Sequence, residues 1–193
     1  VPGQYARAMD DTAQRRQVRL RPIRREDLAM LEEWETNLLE DDPFNCFGFR
    51  DPRRREREWE EDGLLSTERG HLLVALTDGT AIGDVGYRAV RYSTVGGAWN
   101  IGASLLPEHR GQGYGTAAQA ALAEHLFATT LANRVEASTD VENLPEQRSL
   151  TKAGFTREGV LRGAQFRAGE FHDLVLYSRL RGDPGSGDPD GVI

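Results

Sequence analysis

The run Leu105-Leu-Pro-Glu-His-Arg-Gly-Gln-Gly-Tyr-Gly-Thr116 leads straight into an Ala-rich segment, Ala117 to Phe127. Arg110, Gly111, Gly113 and Gly115 therefore fall between an apolar, strand-like stretch and a helix start. Glycine lets a backbone take left-handed angles and approach a ligand closely, and the N–H groups that open a helix have no intrahelical partner. A loop of this kind suits an anion, and a phosphate-bearing ligand is the first expectation. Spacing separates the designs that use one. A Walker loop needs Gly-x-x-x-x-Gly-Lys-Ser/Thr, but the one lysine of the chain, Lys152, lies far downstream. A dinucleotide fingerprint needs Gly-x-Gly-x-x-Gly in the first strand-to-helix turn. Here Gly111-x-Gly113-x-Gly115 continues with Thr116 and Ala117, past mid-chain. The structural alternative is a Gly-rich turn that only caps a helix.

The pattern Arg-x-x-Gly-x-Gly, Arg110 to Gly115, after a strand ending in Leu105-Leu106-Pro107, resembles motif A of the GNAT acyltransferases. That family moves an acyl group from coenzyme A to an amine, and the likeness is to its RimJ/RimL-type branch of protein N-terminal acetyltransferases. A second match is Asn143-x-x-x-x-x-Ser149-x-x-x-Ala153-Gly-Phe155, and a third is Tyr177 on the last apolar run. The resemblance implies an α/β (α+β) fold with a mixed, mostly antiparallel central sheet, splayed between its fourth and fifth strands and flanked by helices on both faces.

The periodicities give the same order of elements. Gln17 to Ile23 reads as a strand, and Leu28, Leu31, Trp34 and Leu38 recur at helical spacing. After a break at Glu40-Asp-Asp-Pro43, Asp51 can N-cap a charged helix from Arg53 to Leu65 with Pro52 at its first position. His71 to Thr77, Thr80 to Tyr92 and Ala98 to Leu106 read as antiparallel strands, with Asp78-Gly79 as a hairpin turn. Ala117, Ala118, Ala121 and Leu122 mark the face by which the next helix approaches a sheet. A strand Arg134 to Ser138, a helix opened by Pro145 and closed by Gly154, and strands Phe155 to Leu161 and Phe171 to Leu180 follow, making seven strands in all. We divide the chain into a polar N-terminal extension (1–16), one domain (17–181) and a flexible Gly/Asp/Pro tail (182–193).

Charge and cysteine content narrow the function. A net charge of −7 argues against nucleic acid, which wants a basic stripe. No apolar run approaches the roughly 20 residues of a membrane span, and Val1 to Gln17 lacks a signal-peptide core. A cytoplasmic protein is expected, with monomer and homodimer both open. A single cysteine, Cys46, excludes an internal disulfide and disfavours a Cys-based metal site; it reads as a structural thiol. No metal is expected, and His71, His109, His125 and His172 show no ligand spacing, with His172 the one to watch near the sheet end.

By the resemblance, acetyl-CoA is held by Leu105, Leu106, Arg110, Gly111, Gln112, Gly113, Gly115, Thr116 and Asn143, with the pantetheine arm along Ile101 to Leu106. Gly102 and Ala103 suit a bulge or a close backbone approach in that strand. Ser149 can protonate the leaving thiolate or simply lie on a polar helix face, and Tyr177 can be an acid or a packing residue. Relatives often carry an acid just before the Ile-Gly of the fourth strand. This chain has Asn100, which takes no proton near neutrality, so a base must come from elsewhere. Two functions stand at this point. One is an N-acetyltransferase acting by direct attack of a primary amine, either a protein N-terminus or a small molecule such as an antibiotic, polyamine or amino sugar. The other is an acyl-CoA-binding module without turnover.

The acidic run Glu40-Asp41-Asp42 lies between two helices that, by the resemblance, flank the acceptor cleft. If it attracts a cationic amine, replacing all three by Gln or Asn raises the acceptor KM, leaves the KM for acetyl-CoA unchanged and flattens the salt dependence of kcat/KM. Acceptor kinetics that match the parent across a salt series would reduce the run to a solvated loop.

Overall fold

A computed structural model describes residues 18–183 apart from 42, 46, 49, 50 and 95, and the side chains of 37–41 are also outside the description. Residues 1–16, most of the 182–193 tail, Asp42 and Cys46 thus lie outside the described residues, as do the side chains of Leu38, Glu40 and Asp41. The elements run β1 (Val18–Pro22), α1 (Leu28–Asp41), α2 (Arg54–Asp62), β2 (Arg69–Leu76), β3 (Ala81–Arg91), β4 (Gly97–Leu105), α3 (Tyr114–Thr129), β5 (Arg134–Asp140), α4 (Leu144–Lys152), β6 (Thr156–Arg167) and β7 (Glu170–Leu180).

Seven strands form one sheet in the order β1-β2-β3-β4-β5-β7-β6. Only β4 and β5 are parallel, because the connection between them carries α3 across the sheet. The Asp78-Gly79 turn forms as the sequence predicts: Gly79 has φ 92° and Asp78 Oδ1 accepts from Thr80 N at 2.9 Å. At the other end of the chain, β6 and β7 are joined by Ala168 (φ 50°) and Gly169 (φ 89°), the left-handed pair of a tight hairpin. This hairpin carries β6 to Arg167, well past the Leu161 expected from the sequence. The ladder slips between Arg157 and Gly159 and again between Leu161 and Gln165, which erases the two-residue alternation that would have revealed the strand.

α3 and α4 lie on one face of the sheet and α1 and α2 on the other. On the first face Ala118, Leu122, Ala123 and Leu126 are at most 1% exposed and pack with Leu72, Val74, Val85, Ile101 and Val135. The helix begins at Tyr114, earlier than expected, and its buried stripe is turned accordingly: Ala118 and Leu122 face the sheet while Ala117 and Ala121 are half-buried. A smaller core joins Leu28 and Leu31 of α1 to Ile23, Leu64 and Leu73. Asp27 fixes the entry to α1, accepting from Arg24 N at 2.8 Å and from both terminal nitrogens of Arg21 at 2.6 and 2.8 Å.

Two further local expectations are corrected. Asp51 does not cap α2; its Oδ1 accepts from Arg53 N at 2.9 Å, closing a side-chain turn that holds Pro52, and the helix begins at Arg54. Nor does β4 bulge at Gly102 and Ala103, since it pairs with β3 in unbroken register from Gly97 to Leu105.

Leu122 is fully buried under the sheet, so Leu122→Ala is expected to lower stability by about 2–5 kcal/mol, read as a reduced urea midpoint at unchanged m-value. A shift under about 0.5 kcal/mol would mean that α3 does not carry the main core.

Candidate active site

β4 and β5 pair only at Trp99↔Val135 and Asn100↔Glu136, and beyond that point the two strands part. The far edge of β4 stays bound to β3 throughout. Leu106 N donates to Ile82 O at 3.0 Å, and the alternation of an antiparallel ladder then turns the C=O of Ile101 and the N–H and C=O groups of Ala103 and Leu105 toward the gap, the Ile101 N–H closing the last parallel pair with β5. One of these carbonyls, that of Leu105, accepts from Arg110 Nε at 2.9 Å. The gap joins two clefts on opposite faces of the sheet, of about 630 Å3 on the α3/α4 side and about 730 Å3 on the α1/α2 side. Ile101 to Leu105, Ser138 and Gln165 line both.

On the α3/α4 side the glycine loop behaves as its composition demands. Gly111 and Gly113 have φ of 72° and 88°, and Gly113 is the N-cap of α3. The first backbone bond of the helix runs from Ala117 N to Gly113 O, and the N–H groups of residues 111–116 make no hydrogen bond among the described residues. Space beside Gly111 is open to 4 Å. Six successive donors without a backbone partner at the positive end of a 16-residue helix suit an anion such as a pyrophosphate, so the residues present fit coenzyme A.

α4 supplies the opposite wall. Asn143 caps it, its Oδ1 accepting from Glu146 N at 3.3 Å, while the residue also lines the cleft. Ser149 Oγ lies 3.1 Å from Thr116 Oγ1 and donates to Gln119 Oε1 at 3.3 Å; Gln119 in turn donates to Glu146. Burial pushes the Glu146 carboxyl up to about 7, and the Gln119 bond offsets only part of that. Gly115 sits among these groups, with Leu105 Cδ1 and Ser149 Oγ each 3.6 Å from where a Cβ would be.

The α1/α2 side is built on charge. β-Register puts His71, Asp84, Gly86, Arg88, Asn100, Gly102 and Ser104 on one face of β2, β3 and β4, and all seven line the larger cleft. Glu35 of α1 accepts from Arg54 Nη2 at 3.1 Å and Arg55 Nε at 2.7 Å of α2. Arg55, 5% exposed, reaches on to Asp84 Oδ2 at 3.0 Å, and His71 Nδ1 lies 3.2 Å from the same oxygen. Burial raises the Asp84 carboxyl, but Arg55 and His71 outweigh it and hold the group at about 2.

The sequence-selected residues thus divide. Leu105, Arg110, Gly111, Gly113, Gly115, Thr116, Asn143 and Ser149 all line the smaller cleft, and Asn100 and Leu106 line the larger one. Gln112 instead folds back, Nε2 donating to Glu108 O at 2.7 Å. Tyr177 is 4% exposed in the main core and lines neither cleft. His172 joins a structural cluster in which Arg167 Nη2 donates to Asp140 Oδ2 at 2.7 Å. Asp84 and His71 went unrecognised as a pair: they are thirteen residues apart in the chain, and only the β2–β3 register brings them together. Among the described residues no three His, Cys, Asp or Glu side chains gather as a metal would require.

Comparison with known proteins agrees with this geometry. A family model described as the acetyltransferase (GNAT) domain matches residues 17–156. The chain is 30% identical to the N-acetyltransferase p20 of Bacillus licheniformis over 113 residues, 58% of this chain and 62% of that protein, so the match spans less than two thirds of that relative's length. It is 26% identical to the phosphinothricin N-acetyltransferase of Streptomyces viridochromogenes over 86% of this chain and 89% of the relative. Among solved structures, Mycobacterium smegmatis RimJ in complex with CoA-disulfide superposes with a TM-score of 0.69 at 24% identity, over 84% of this chain and 81% of that one.

The Glu146 carboxyl gives this cleft a pH signature. Folding raises it from 4.5 to about 7, so its contribution to stability is fully present below about pH 4.5 and is lost as the pH rises through about 7. Glu146→Gln, which can keep the bond from Gln119, should match the parent near pH 4.5 and exceed it in urea denaturation above about pH 7 by roughly 2 kcal/mol. A difference that does not change over that range would show the carboxyl to be solvated.

Proposed function

Because the chain belongs to the GNAT acetyltransferase family, we propose that it transfers an acetyl group from acetyl-CoA to a primary amine by direct attack in a ternary complex. The observation that carries this reading is the parting of β4 from β5 after Asn100, which opens one passage between an anion-binding cleft and a polar cleft on opposite faces of the sheet. Two substrates entering from opposite sides can meet only there. The acyl donor brings a thioester, whose carbon is the electrophile. The chain does the positioning. Donors of residues 111–116 hold the pyrophosphate, the free edge of Ile101 to Leu105 pairs with the amides of the pantetheine arm, and an N–H of that edge polarises the carbonyl. Ser149 Oγ, turning from Gln119, supplies a proton to the departing sulfur and regains one from solvent, Thr116 Oγ1 lying 3.1 Å away as a partner in that exchange.

For the acceptor, the α1/α2 cleft supports a small amine bearing few charges. Its carboxylates Glu32, Glu35, Asp51, Glu58 and Asp84 are set against Arg54, Arg55, Arg69 and Arg88, so a polycation meets little net attraction. The Streptomyces relative is named for the acetylation of phosphinothricin, an amine that suits such a cleft. A protein N-terminus, the role of the RimJ-type branch, is the other candidate. Use of acetyl-CoA supports a cytoplasmic location, and among the described residues no helix is long and apolar enough to cross a membrane.

Release of free CoA thiol is the decisive measurement, with phosphinothricin, spermidine and a peptide bearing a free N-terminal alanine as acceptors. Turnover with one of them is expected, and binding of acetyl-CoA without turnover on any would favour the acyl-CoA-binding module instead. Gly115→Val should cost most of the acetyl-CoA affinity, since the added methyls press on Leu105 and Ser149, while far-UV spectra stay unchanged. Ser149→Ala should lower kcat by about 10- to 1,000-fold at nearly constant acetyl-CoA affinity. An unaltered kcat would leave Ser149 as a link in the hydrogen-bond network alone.

A further inference from the structure

His71 of β2, Gly86 of β3 and Gly102 of β4 stand in one cross-strand row on the acceptor face. The imidazole lies over Gly86, where a Cβ would sit 2.8 Å from its Cε1. Beyond it nothing comes within 4 Å of where a Cβ of Gly102 would be. Neighbouring strands run about 4.8 Å apart, so the ring above β3 stands roughly one strand spacing from β4, at the stretch where β4 leaves β5. That interval accommodates an amine nitrogen, or an amine and one water. Two consecutive glycines in the row are what keep it open.

Asp84 decides which ring nitrogen faces this space. Paired with Arg55 it is ionised, and an ionised carboxylate only accepts hydrogen bonds. In the neutral ring, Nδ1 of His71, 3.2 Å from Asp84 Oδ2, therefore carries the proton and Nε2 the lone pair, and Nε2 has no hydrogen-bond partner among the described residues. Of the other carboxylates lining the cleft, Glu35 is held by Arg54 and Arg55, Glu58 by Arg54 and Arg69, and Asp51 by Arg57. We propose that His71 is the general base of the acyl transfer, taking the amine proton on Nε2, and that Asp84 is a positioning residue that fixes its tautomer. The assignment rests on the N-acetyltransferase reading. In the step, the amine lone pair forms the C–N bond, the C–S bond breaks with its pair going to sulfur, one proton passes from nitrogen to His71 Nε2, and one proton reaches sulfur from the α4 side. The charged groups of this cleft are Arg69 on β2, Asp84 and Arg88 on β3, Asp51 ahead of α2, Arg54, Arg55 and Glu58 on α2, and Glu32 and Glu35 on α1, while the polar side chains of β4 are Asn100 and Ser104.

The test uses the best acceptor of the panel above. His71→Ala should lower kcat by about 10²–10⁴-fold, leave the calorimetric Kd for acetyl-CoA unchanged and recover activity when imidazole is added to the buffer. Asp84→Asn should give a smaller loss that disappears in the His71→Ala background. Independently of turnover, imidazole nitrogen NMR should show Nδ1 protonated in the parent and the preference lost in Asp84→Asn. A kcat near the parent's in His71→Ala, absence of rescue in a variant that still binds acetyl-CoA, or a proton on Nε2 in the parent would each overturn the assignment and leave the N-acetyltransferase reading intact. Absence of turnover with every amine by the parent overturns that reading and the assignment with it.

Discussion

Two residues of parallel pairing, Trp99 and Asn100 with Val135 and Glu136, decide how the whole molecule is used. A sheet that closed along its full length would satisfy every backbone group and leave no way through. Here the carbonyl of Ile101 and the peptide groups of Ala103 face a gap, a cost that a fold sustains only if the strand is held from elsewhere. It is held twice. The nine-residue ladder to β3 fixes one edge of β4, and the small side chains of α3 bring that helix close enough to bury Ile101 from below. With β4 rigid, its free edge becomes a template for an extended ligand.

The acceptor wall depends on a different bond set. Glu35, Arg55, Asp84 and His71 belong to four elements, α1, α2, β3 and β2, and their contacts tie the two helices to the sheet where the apolar core beneath them is small. Burying a guanidinium and a carboxylate together gains little over an apolar contact, yet removing either one strands the other. A protein maximising stability alone would have little use for that arrangement. It makes sense as a scaffold for orientation, since Asp84 is both the anchor of Arg55 and the acceptor that faces His71.

The sequence exposed these two halves unequally. The loop Arg110 to Thr116 was legible because its shape lies in glycine positions and a helix start, both local properties of consecutive residues. Asn143 and Ser149, selected by their offset at the start and on the face of one short helix, line the same cleft as that loop. His71 and Asp84 were not selected, because a contact between strands depends on register, which Asp78-Gly79 suggests but does not number residue by residue. The same limit explains β6: two slips against β7 destroyed its alternation, so its second half read as loop. At Asp51, a side-chain turn one step ahead of the helix carries the same residues as a true cap, and local pattern alone does not separate the two.

A chain with a net charge of −7 presents its anion-binding surface as peptide N–H groups at the head of α3. Those donors never titrate. The loop itself therefore adds no pH dependence beside that of Glu146, and substitutions along it leave it intact so long as the backbone keeps its shape. The acceptor half is written in arginines, carboxylates and one imidazole, each exchangeable by a single codon. On the proposed reading, donor recognition and acceptor choice are encoded in different materials, main chain and side chain, and a descendant can change which amine it modifies without relearning how to hold coenzyme A.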